Sequence, residues 1–526
     1  RSTSESVKPR SHQECTHSMQ AYDLHTPSRS GGQCGVMFLK PKLPAERPNQ
    51  RQHGARFALL IFFGVSLLNF VDRYIPNAVT PLFQKELGLS DSEAALPTTG
   101  MLVVFLLCAV FVGWLVDSQV LDRRLILAGG VVLWSLATAM AGLSQNLLQL
   151  VILRSLVGLG EAAFVTVAYP MLADFFPIEE RNVAFTILNV SGPLGGALGF
   201  VIGGLAGPQI GWRWTFCLCG LPGLLMAWFV LQLDDPLRGI NDQKLMQESS
   251  DASIASHEGG QSASTSAGLS HPQSVSQELV TIMRNGYWLS CTAGMAANSF
   301  AVGGLASWFN SYLVRYHHLA LSRANLAGGA ATVFGAIAGV LLGSSLADGV
   351  ARRPSGSLSD YLLVPALFML PAAALAALNL SGLIHMPVLC ASMMVSQACF
   401  FTWVAPVSTV SVSVQPVQLR ARAAGLQVFL AHLFGDATSP LVLGFLSDWL
   451  GSLQQAMQLI PVAILFSGFC WLLGYICLPR LPQVQLEGPG KALGITSLLW
   501  EQAEDRSSNV KGYGSTDADA PACRAP

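Results

Sequence analysis

Long apolar stretches alternate with short polar ones along most of the chain. A helix that crosses a bilayer needs about 20 mostly apolar residues. Twelve stretches meet this requirement: 57–79, 94–116, 124–143, 147–173, 183–207, 214–233, 286–313, 323–346, 360–380, 386–412, 422–446 and 456–478. The strands of a membrane barrel would instead show segments of about ten residues with alternating polarity. The pattern therefore predicts an all-α membrane protein with twelve transmembrane helices.

One connection is much longer than the others and divides six spans from six. It is rich in Ser, Gly, Ala and Gln and has too few apolar residues to build a core. We therefore predict five regions: a disordered N-terminal tail over 1–56, a six-helix bundle over 57–233, a flexible linker over 234–284, a second six-helix bundle over 285–479, and a disordered C-terminal tail over 480–526.

Composition agrees with a polytopic membrane protein. Charged residues make up 12% of the chain, about half of the ~25% that is typical of soluble domains, and the mean hydropathy is +0.47. Such a chain has too little polar surface for a secreted, cytosolic or nucleic-acid-binding globule. The 11 cysteines include no CxxC motif and no metal-ligand spacing, so neither a disulfide framework nor a metal site is predicted.

Lys and Arg in the short loops predict the orientation, because they concentrate on the cytoplasmic side. The loops on the side of the N-terminus carry Arg123, Arg124, Arg181, Arg238, Lys244, Arg284, Arg352, Arg353, Arg420 and Arg422. The opposite loops carry Lys85, Arg213, Arg315 and Arg323. We therefore expect both termini and the linker to be cytoplasmic.

The two halves resemble each other. The second span ends with an Asp that is followed by an Arg pair, and the eighth span repeats this arrangement: Asp117, Arg123 and Arg124, then Asp348, Arg352 and Arg353. A Pro-x-x-x-Arg motif follows both the fourth and the tenth span, at Pro177 and Pro416. This duplication is typical of secondary transporters, whose binding site lies between the halves. We interpret the Asp and Arg residues as gating residues, and we assign Asp448 to the same face.

Few ionisable residues fall inside the spans, where a charge is costly and by default marks a pathway or a pair. They are Asp72, Arg73, Arg154, Glu161, His432 and Asp436. Arg154 and Glu161 are two helical turns apart and share one face of the fourth span. Asp72 is predicted to pair with Arg154, and protonation of this acid would free the arginine. The alternative is a buried ion pair that sets the helix register. Arg73 is interpreted as a capping or snorkelling residue.

A His/Asp pair and a stretch of small residues each have a structural and a functional interpretation. His432 and Asp436 are four residues apart on one helix face, which predicts either a local hydrogen bond before Pro440 or a role in gating. The small residues of 191–207 predict close packing of helices. No Walker loop, GxSxG elbow or HExxH motif is present in the sequence. We therefore expect neither an enzyme nor a cofactor.

The chain resembles the major facilitator superfamily in its six-plus-six spans, its Arg/Asp-bearing loops and its Pro-x-x-x-Arg repeats. Within it, three stretches resemble the spinster family: NFVDRYIPNA at 69–78, LRSLVGLGEAAFVTVAYPMLADFFPIEER at 153–181, and LRARAAGLQVFLAHLFGDATSPLVLGFLSD at 419–448. The sequence departs from the family pattern at Ala78, where the family usually has Gly, and at Ser118, where it usually has a basic residue.

The resemblance implies a proton-linked exporter of lysophospholipids or sphingoid-type amphiphiles. It places the family's first-span acid on Asp72, its fourth-span arginine on Arg154 and its fourth-span acid on Glu161. We expect Asp72 and Glu161 to couple protons and all three residues to bind substrate, with Arg154 holding an anionic head group. The expected partners are the amphiphile, protons and the bilayer, with the protein monomeric in an endolysosomal or plasma membrane. The alternatives are transport of another small solute, such as an organic anion or sugar, or a non-transporting receptor or a channel.

Overall fold

The computed structural model describes residues 48–118, 120–236, 275–351, 353, 356–416 and 419–477. Most of the N-terminal tail, most of the linker and the C-terminal tail lie outside these residues. The described part is almost entirely helical.

Five helices form the first bundle: α1 (Pro48–Leu87), α2 (Asp91–Asp117), α3 (Arg123–Ala141), α4 (Leu147–Phe175) and α5 (Ile178–Leu231). Helix α5 contains the predicted fifth and sixth spans. It is interrupted at Gly211, whose φ of 81° and ψ of 158° are not helical. A residue with a side chain is strained at this φ, so glycine allows the sharp turn between the two spans.

The second bundle is built from more and shorter pieces. Its helices are α6 (Val275–Met283), α7 (Gly286–Tyr316), α8 (Leu321–Ala351), α9 (Leu363–Asn379), α10 (Met386–Phe400), α11 (Val404–Ser413), α12 (Arg420–Phe434), α13 (Ser439–Leu450), α14 (Leu453–Met457) and α15 (Leu459–Cys477). The predicted tenth and eleventh spans are both broken, between α10 and α11 and between α12 and α13. The prediction of an all-α membrane fold is confirmed.

The number of spans can be reconciled with the prediction of twelve. Ten helical segments of the described residues are long and apolar enough to cross a membrane. One of these is α5, which holds two predicted spans on either side of Gly211. Helix α7 has 31 residues and is long enough to cross, but it carries more polar side chains and is not among the ten.

Two boundaries differ from the prediction. Helix α1 begins at Pro48, within the predicted N-terminal tail. Helix α6 lies within the predicted linker, where Ile282 packs with Trp288, Leu419 and Ala423 of the second bundle. The sequence pattern missed α6 because nine residues are too few to show a helical period against a polar background.

The helices of each bundle pack mainly on one another, and the bundles meet where α5 contacts α8, α2 contacts α13 and α1 contacts α7. We call the side that holds the α2–α3 connection the terminal face, because α1 begins there. The side that holds the α1–α2 connection is the distal face.

Helix α5 packs on α1 through its small residues. A Cβ on Gly195 would lie 2.6 Å from the Cβ of Phe70, and one on Gly199 would lie 2.9 Å from the carbonyl oxygen of Val71. The predicted packing role of 191–207 is therefore confirmed.

The contact between α2 and α4 predicts a sensitive position. A Cβ on Gly158 would fall against the carbonyl oxygen of Met101 and lie 3.0 Å from the backbone nitrogen of Phe105. We expect Gly158→Ala to lower the free energy of unfolding by about 1–3 kcal/mol, because the helices must move apart. Gly129→Ala is the matched control, since a Cβ on Gly129 meets nothing within 4 Å. The apparent melting temperature of the purified protein tests this, and equal effects of both substitutions would contradict it.

Candidate functional site

The three acidic and basic residues predicted for the site lie inside the first bundle. Asp72 on α1 is 2% exposed, and Arg154 and Glu161 on α4 are fully buried. Burial in the bundle keeps all three away from the lipid, as the cost of a charge in hydrocarbon requires. They do not all contact one another.

Asp72 is held by a neutral donor. The Thr138 hydroxyl on α3 donates a hydrogen bond of 3.0 Å to its Oδ2 atom. Its Oδ1 atom has no hydrogen-bond partner among the described residues. A buried carboxylate with a single hydroxyl donor is poorly compensated, because a charge normally needs an ion partner or several donors.

Arg154 approaches Asp72 without forming the predicted ion pair in this state. Its Nη2 atom donates to the backbone carbonyl oxygen of Asp72 at 3.4 Å and to the Met101 Sδ atom at 2.9 Å. Its Nε and Nη1 atoms have no partner among the described residues, and its Cζ atom lies 6.0 Å from the centre of the Phe216 ring. The guanidinium therefore keeps free donors beside an acid with a free acceptor.

Glu161 pairs with Arg73 instead. The Arg73 Nη2 atom lies 2.6 Å from the Glu161 Oε2 atom, and the Arg73 side chain is 18% exposed. The Arg73 guanidinium also lies 5.2 Å from the centre of the Phe105 ring. The interpretation of Arg73 as a capping or snorkelling residue was wrong. Charge balance was the available signal, because two acids in these two spans need two arginines as partners inside the bundle.

The second bundle contributes the predicted pair His432 and Asp436. The His432 Nδ1 atom lies 2.8 Å from the Asp436 Oδ1 atom, and the pair stands where the helix breaks between Phe434 and Ser439. Asp436 is close enough to Arg73 to interact with it electrostatically. Discontinuous helices of this kind surround the substrate sites of many transporters.

A cavity of about 530 Å³ lies between the bundles. Tyr74 of α1 and Phe200 of α5 line one side of it. The second bundle supplies the other lining residues: Val302, Leu305, Ala306, Phe309, Asn310, Gly328, Thr332, Met393, Gln397, Phe400 and Phe401. The lining is mostly aromatic and aliphatic with a few amide and hydroxyl groups. Asp72, Arg154 and Glu161 do not line it, although Tyr74 is only two residues from Asp72.

The predicted gating residues of the terminal face form contacts within each bundle. Arg123 is 3% exposed and binds Asp174 at 2.5 Å and Asp235 at 2.6 Å. Arg124 donates to the carbonyl oxygen of Leu233 at 2.8 Å.

In the second bundle, Asp348 accepts a hydrogen bond of 3.0 Å from the Tyr361 hydroxyl, and Arg353 is exposed. The side chain of Asp117 and the whole of Arg352 lie outside the described residues.

Asp448 lies at the distal face. Its carboxylate accepts hydrogen bonds from the backbone nitrogen atoms of Asp91 and Ser92, at the start of α2. Its assignment to the face of Arg123 was therefore wrong, because the eleventh span runs from the terminal to the distal face and Asp448 stands near its end. In the described part of the chain, no group of three or more His, Cys, Asp or Glu side chains is placed to hold a metal ion.

The Arg73–Glu161 pair predicts strong coupling between the two side chains. Glu161→Gln leaves the Arg73 guanidinium without its anion, and we expect it to lower the free energy of unfolding by about 3 kcal/mol or more. Adding Arg73→Gln to this variant should recover part of the loss, because the unpaired charge is then gone. Apparent melting temperatures of the two single variants and the double variant test this, and additive losses would show that the pair is not coupled.

Comparison with known proteins identifies the fold family. The sequence profile of the Major Facilitator Superfamily matches residues 62–440. The sphingosine-1-phosphate transporter SPNS2 of Danio rerio is 27% identical, over 81% of this chain and 86% of that protein. Spinster homolog 3 of Mus musculus is 28% identical, over 88% of this chain and 91% of that protein.

Among solved structures, a bacterial homolog of the human lysosomal transporter spinster, in an inward-facing and occupied conformation, superposes with a TM-score of 0.67. It is 19% identical, and the match covers 82% of this chain and 97% of the other. The chain is a multi-pass membrane transporter, not an enzyme, that belongs to the major facilitator superfamily and is similar to the spinster proteins within it.

Proposed function

We propose that this protein is a proton-coupled secondary transporter that moves a lipid-like amphiphile, of the lysophospholipid or sphingoid type, by alternating access. The observation that carries the proposal is the apolar cavity between the bundles, next to a buried network of charges. Its lining is mostly aromatic and aliphatic with a few polar groups, which is typical of ligand sites. The similarity to a sphingosine-1-phosphate transporter supports the substrate class.

The cavity suits the apolar part of such a substrate. Phe200, Phe309, Phe400 and Phe401 offer ring surface to an alkyl chain. A second cavity of about 290 Å³ shares Leu305, Phe309, Met393 and Gln397 with the first, and it lies beside Asn379 and Leu380 near the distal end of α9. The shared residues make the two cavities neighbours, so the apolar lining extends towards the distal face.

Arg73 is the better candidate for the anionic head group in this state. Its side chain is 18% exposed, whereas Arg154 is fully buried. Arginine binds phosphate and carboxylate through paired donors. A head group at Arg73 would take the place of Glu161, and the freed acid would then be able to accept a proton. Asp436 of the second bundle also interacts electrostatically with Arg73. Binding of a head group at Arg73 would therefore depend on the relative position of the two bundles.

Asp72 is the proton site that we propose. Its carboxylate has one hydroxyl donor, one free acceptor atom and the free donors of Arg154 nearby. A proton on Asp72 removes the uncompensated charge, and loss of the proton favours a direct ion pair with Arg154. The two protonation states therefore favour different arrangements of α1 and α4. We retain Glu161 as the second member of the relay.

The contacts between the bundles support an inward-facing assignment. Hydrogen bonds from Arg315 to Asp91 and from Asn325 to the carbonyl oxygen of Ala78 join the bundles at the distal side. We place the terminal face, with its arginine-rich loops, in the cytoplasm. In this arrangement substrate and protons enter the cavity from the cytoplasmic side. The contacts of Arg123, Arg124 and Asp348 would rearrange when that side closes.

The proton site predicts the behaviour of Asp72→Asn, which mimics the permanently protonated acid. In proteoliposomes with an imposed pH gradient, we expect flux of sphingosine 1-phosphate or lysophosphatidylcholine to lose its response to the gradient. Binding of the same lipids should persist. Glu86→Gln is the control, because Glu86 is a distal carboxylate bound to Arg213 at 3.0 Å outside the site.

Undiminished pH dependence in Asp72→Asn would reject this role and leave Glu161 as the proton site. Gradient-driven flux of an organic anion or sugar, with none of either lipid, would replace the proposed substrate class. Conductance without a gradient would indicate a channel.

The proposed head-group site predicts that substitutions of Arg73 and Arg154 affect lipid affinity differently. We expect Arg73→Gln to weaken binding of sphingosine 1-phosphate by about tenfold or more while changing the affinity for sphingosine little, because a charged hydrogen bond contributes about 1.5–3 kcal/mol. Arg154→Gln should change both affinities by similar factors. Scintillation proximity binding to the purified protein measures them. A selective loss of sphingosine 1-phosphate binding in Arg154→Gln alone would return the head group to Arg154.

A further inference from the structure

The first residue of α2 is held by side chains of both bundles at the distal face. The Asp91 carboxylate accepts two hydrogen bonds from Arg315 of α7, at 2.6 and 2.8 Å. It also accepts from the Ser447 hydroxyl of α13 and from the Gln84 side chain of α1, each at 2.6 Å. Two of its three partners therefore belong to the other bundle.

Asp448 of α13 binds the same helix end through the backbone. Its Oδ1 atom accepts from the Asp91 nitrogen at 2.9 Å, and its Oδ2 atom accepts from the Ser92 nitrogen at 2.8 Å. The first N–H groups of a helix have no partner within it, and the helix dipole favours an anion at this end. The second bundle thus supplies the carboxylate that completes the capping of a first-bundle helix.

The backbones of α2 and α13 come close enough for this only because α13 has a glycine at the crossing. A Cβ on Gly444 would lie 2.6 Å from the carbonyl oxygen of Asp91 and 3.0 Å from the Cα atom of Ser92. Gly444, Ser447 and Asp448 are three and four residues apart, so they lie on one face of α13. This face is therefore built to receive the end of α2.

We infer that Asp91, Arg315, Gly444, Ser447 and Asp448 form a distal latch, which holds the distal side closed and must break when the bundles separate there. The inference rests on the alternating access proposed above. The latch contacts join residues of opposite bundles, so they are lost if the bundles move apart as units. The charged partners make the closed state dependent on Asp91 being ionised and on Arg315 being in place.

A second ion pair at the distal face provides a matched control. Glu86 and Arg213 lie 3.0 Å apart, and Arg213 also donates to the carbonyl oxygen of Gly142 at 3.3 Å. All these groups belong to the first bundle. The pair therefore stays formed whether the distal side is closed or open, and its loss should not change the balance between the two states.

Hydrogen–deuterium exchange of the full chain in lipid nanodiscs tests the latch. The readout is the peptide region 321–332, where the Asn325 side chain donates to the carbonyl oxygen of Ala78 at 3.0 Å and a Cβ on Gly329 would meet Phe200 at 3.4 Å. This region reports separation of the bundles without itself containing a latch residue. We expect Asp91→Asn and Asp448→Asn each to raise its exchange rate by roughly tenfold, which corresponds to about 1.4 kcal/mol, and Glu86→Gln to leave it unchanged.

Wild-type exchange at 321–332 in folded Asp91→Asn and Asp448→Asn would overturn the latch. Either variant is sufficient for the test if the other does not fold. An equal rise in Glu86→Gln would also overturn it, because the effect would then be general loosening of the distal face.

The exchange assay involves no substrate and no proton gradient. A wild-type protein without gradient-driven lipid flux would therefore reject the proposed function alone, whereas normal flux with unchanged exchange in the variants would reject the latch alone.

Discussion

Charges sealed from water inside the first bundle are the constraint on which the rest of the site depends. Asp72, Arg154 and Glu161 are almost completely buried, and neither lipid nor solvent is there to stabilise them. The bundle must therefore supply every partner. Among the three, only Glu161 has a direct ion partner in the described residues, through Arg73 at 2.6 Å. Asp72 and Arg154 remain partly unsatisfied neighbours, which is the condition under which a proton or a conformational change has the largest effect.

The order of residues on α1 divides the site into two parts. Consecutive residues of a helix point about 100° apart, so Asp72 turns to Thr138 and Arg154 while Arg73 turns to Glu161 and the second bundle. The first part is closed, and the second is partly exposed through the Arg73 side chain, which is 18% accessible. This division fits the roles proposed above, because a proton site is shielded from solvent while a head-group site must meet the substrate. The electrostatic interaction between Asp436 and Arg73 links the second bundle to this part.

Most of the fold could be predicted because the bilayer imposes its own length scale. All twelve predicted spans coincide with helices, although the tenth and eleventh are broken, and the small residues of 191–207 pack on α1 as expected. The errors are local ones. Helix α6 was missed within a polar linker, and the breaks within the tenth and eleventh spans were not predicted. The predicted connection between the fifth and sixth spans coincides with the turn at Gly211, whose φ is 81°. Hydropathy measures the length of an apolar stretch, but it carries no information about backbone angles.

The site was predicted less completely, and the reason is geometric. The sequence by itself determined which charges must be buried, since an ionisable residue in an apolar span has no other place to go. Only the tertiary structure decided the partners: Glu161 binds Arg73, Asp72 binds Thr138, and Asp448 binds the start of α2 rather than the terminal face. Pairing depends on the rotation and depth of each helix relative to its neighbours. Those are set by contacts such as Gly444 against Asp91, which involve residues far apart in the chain and leave no periodic signal in it.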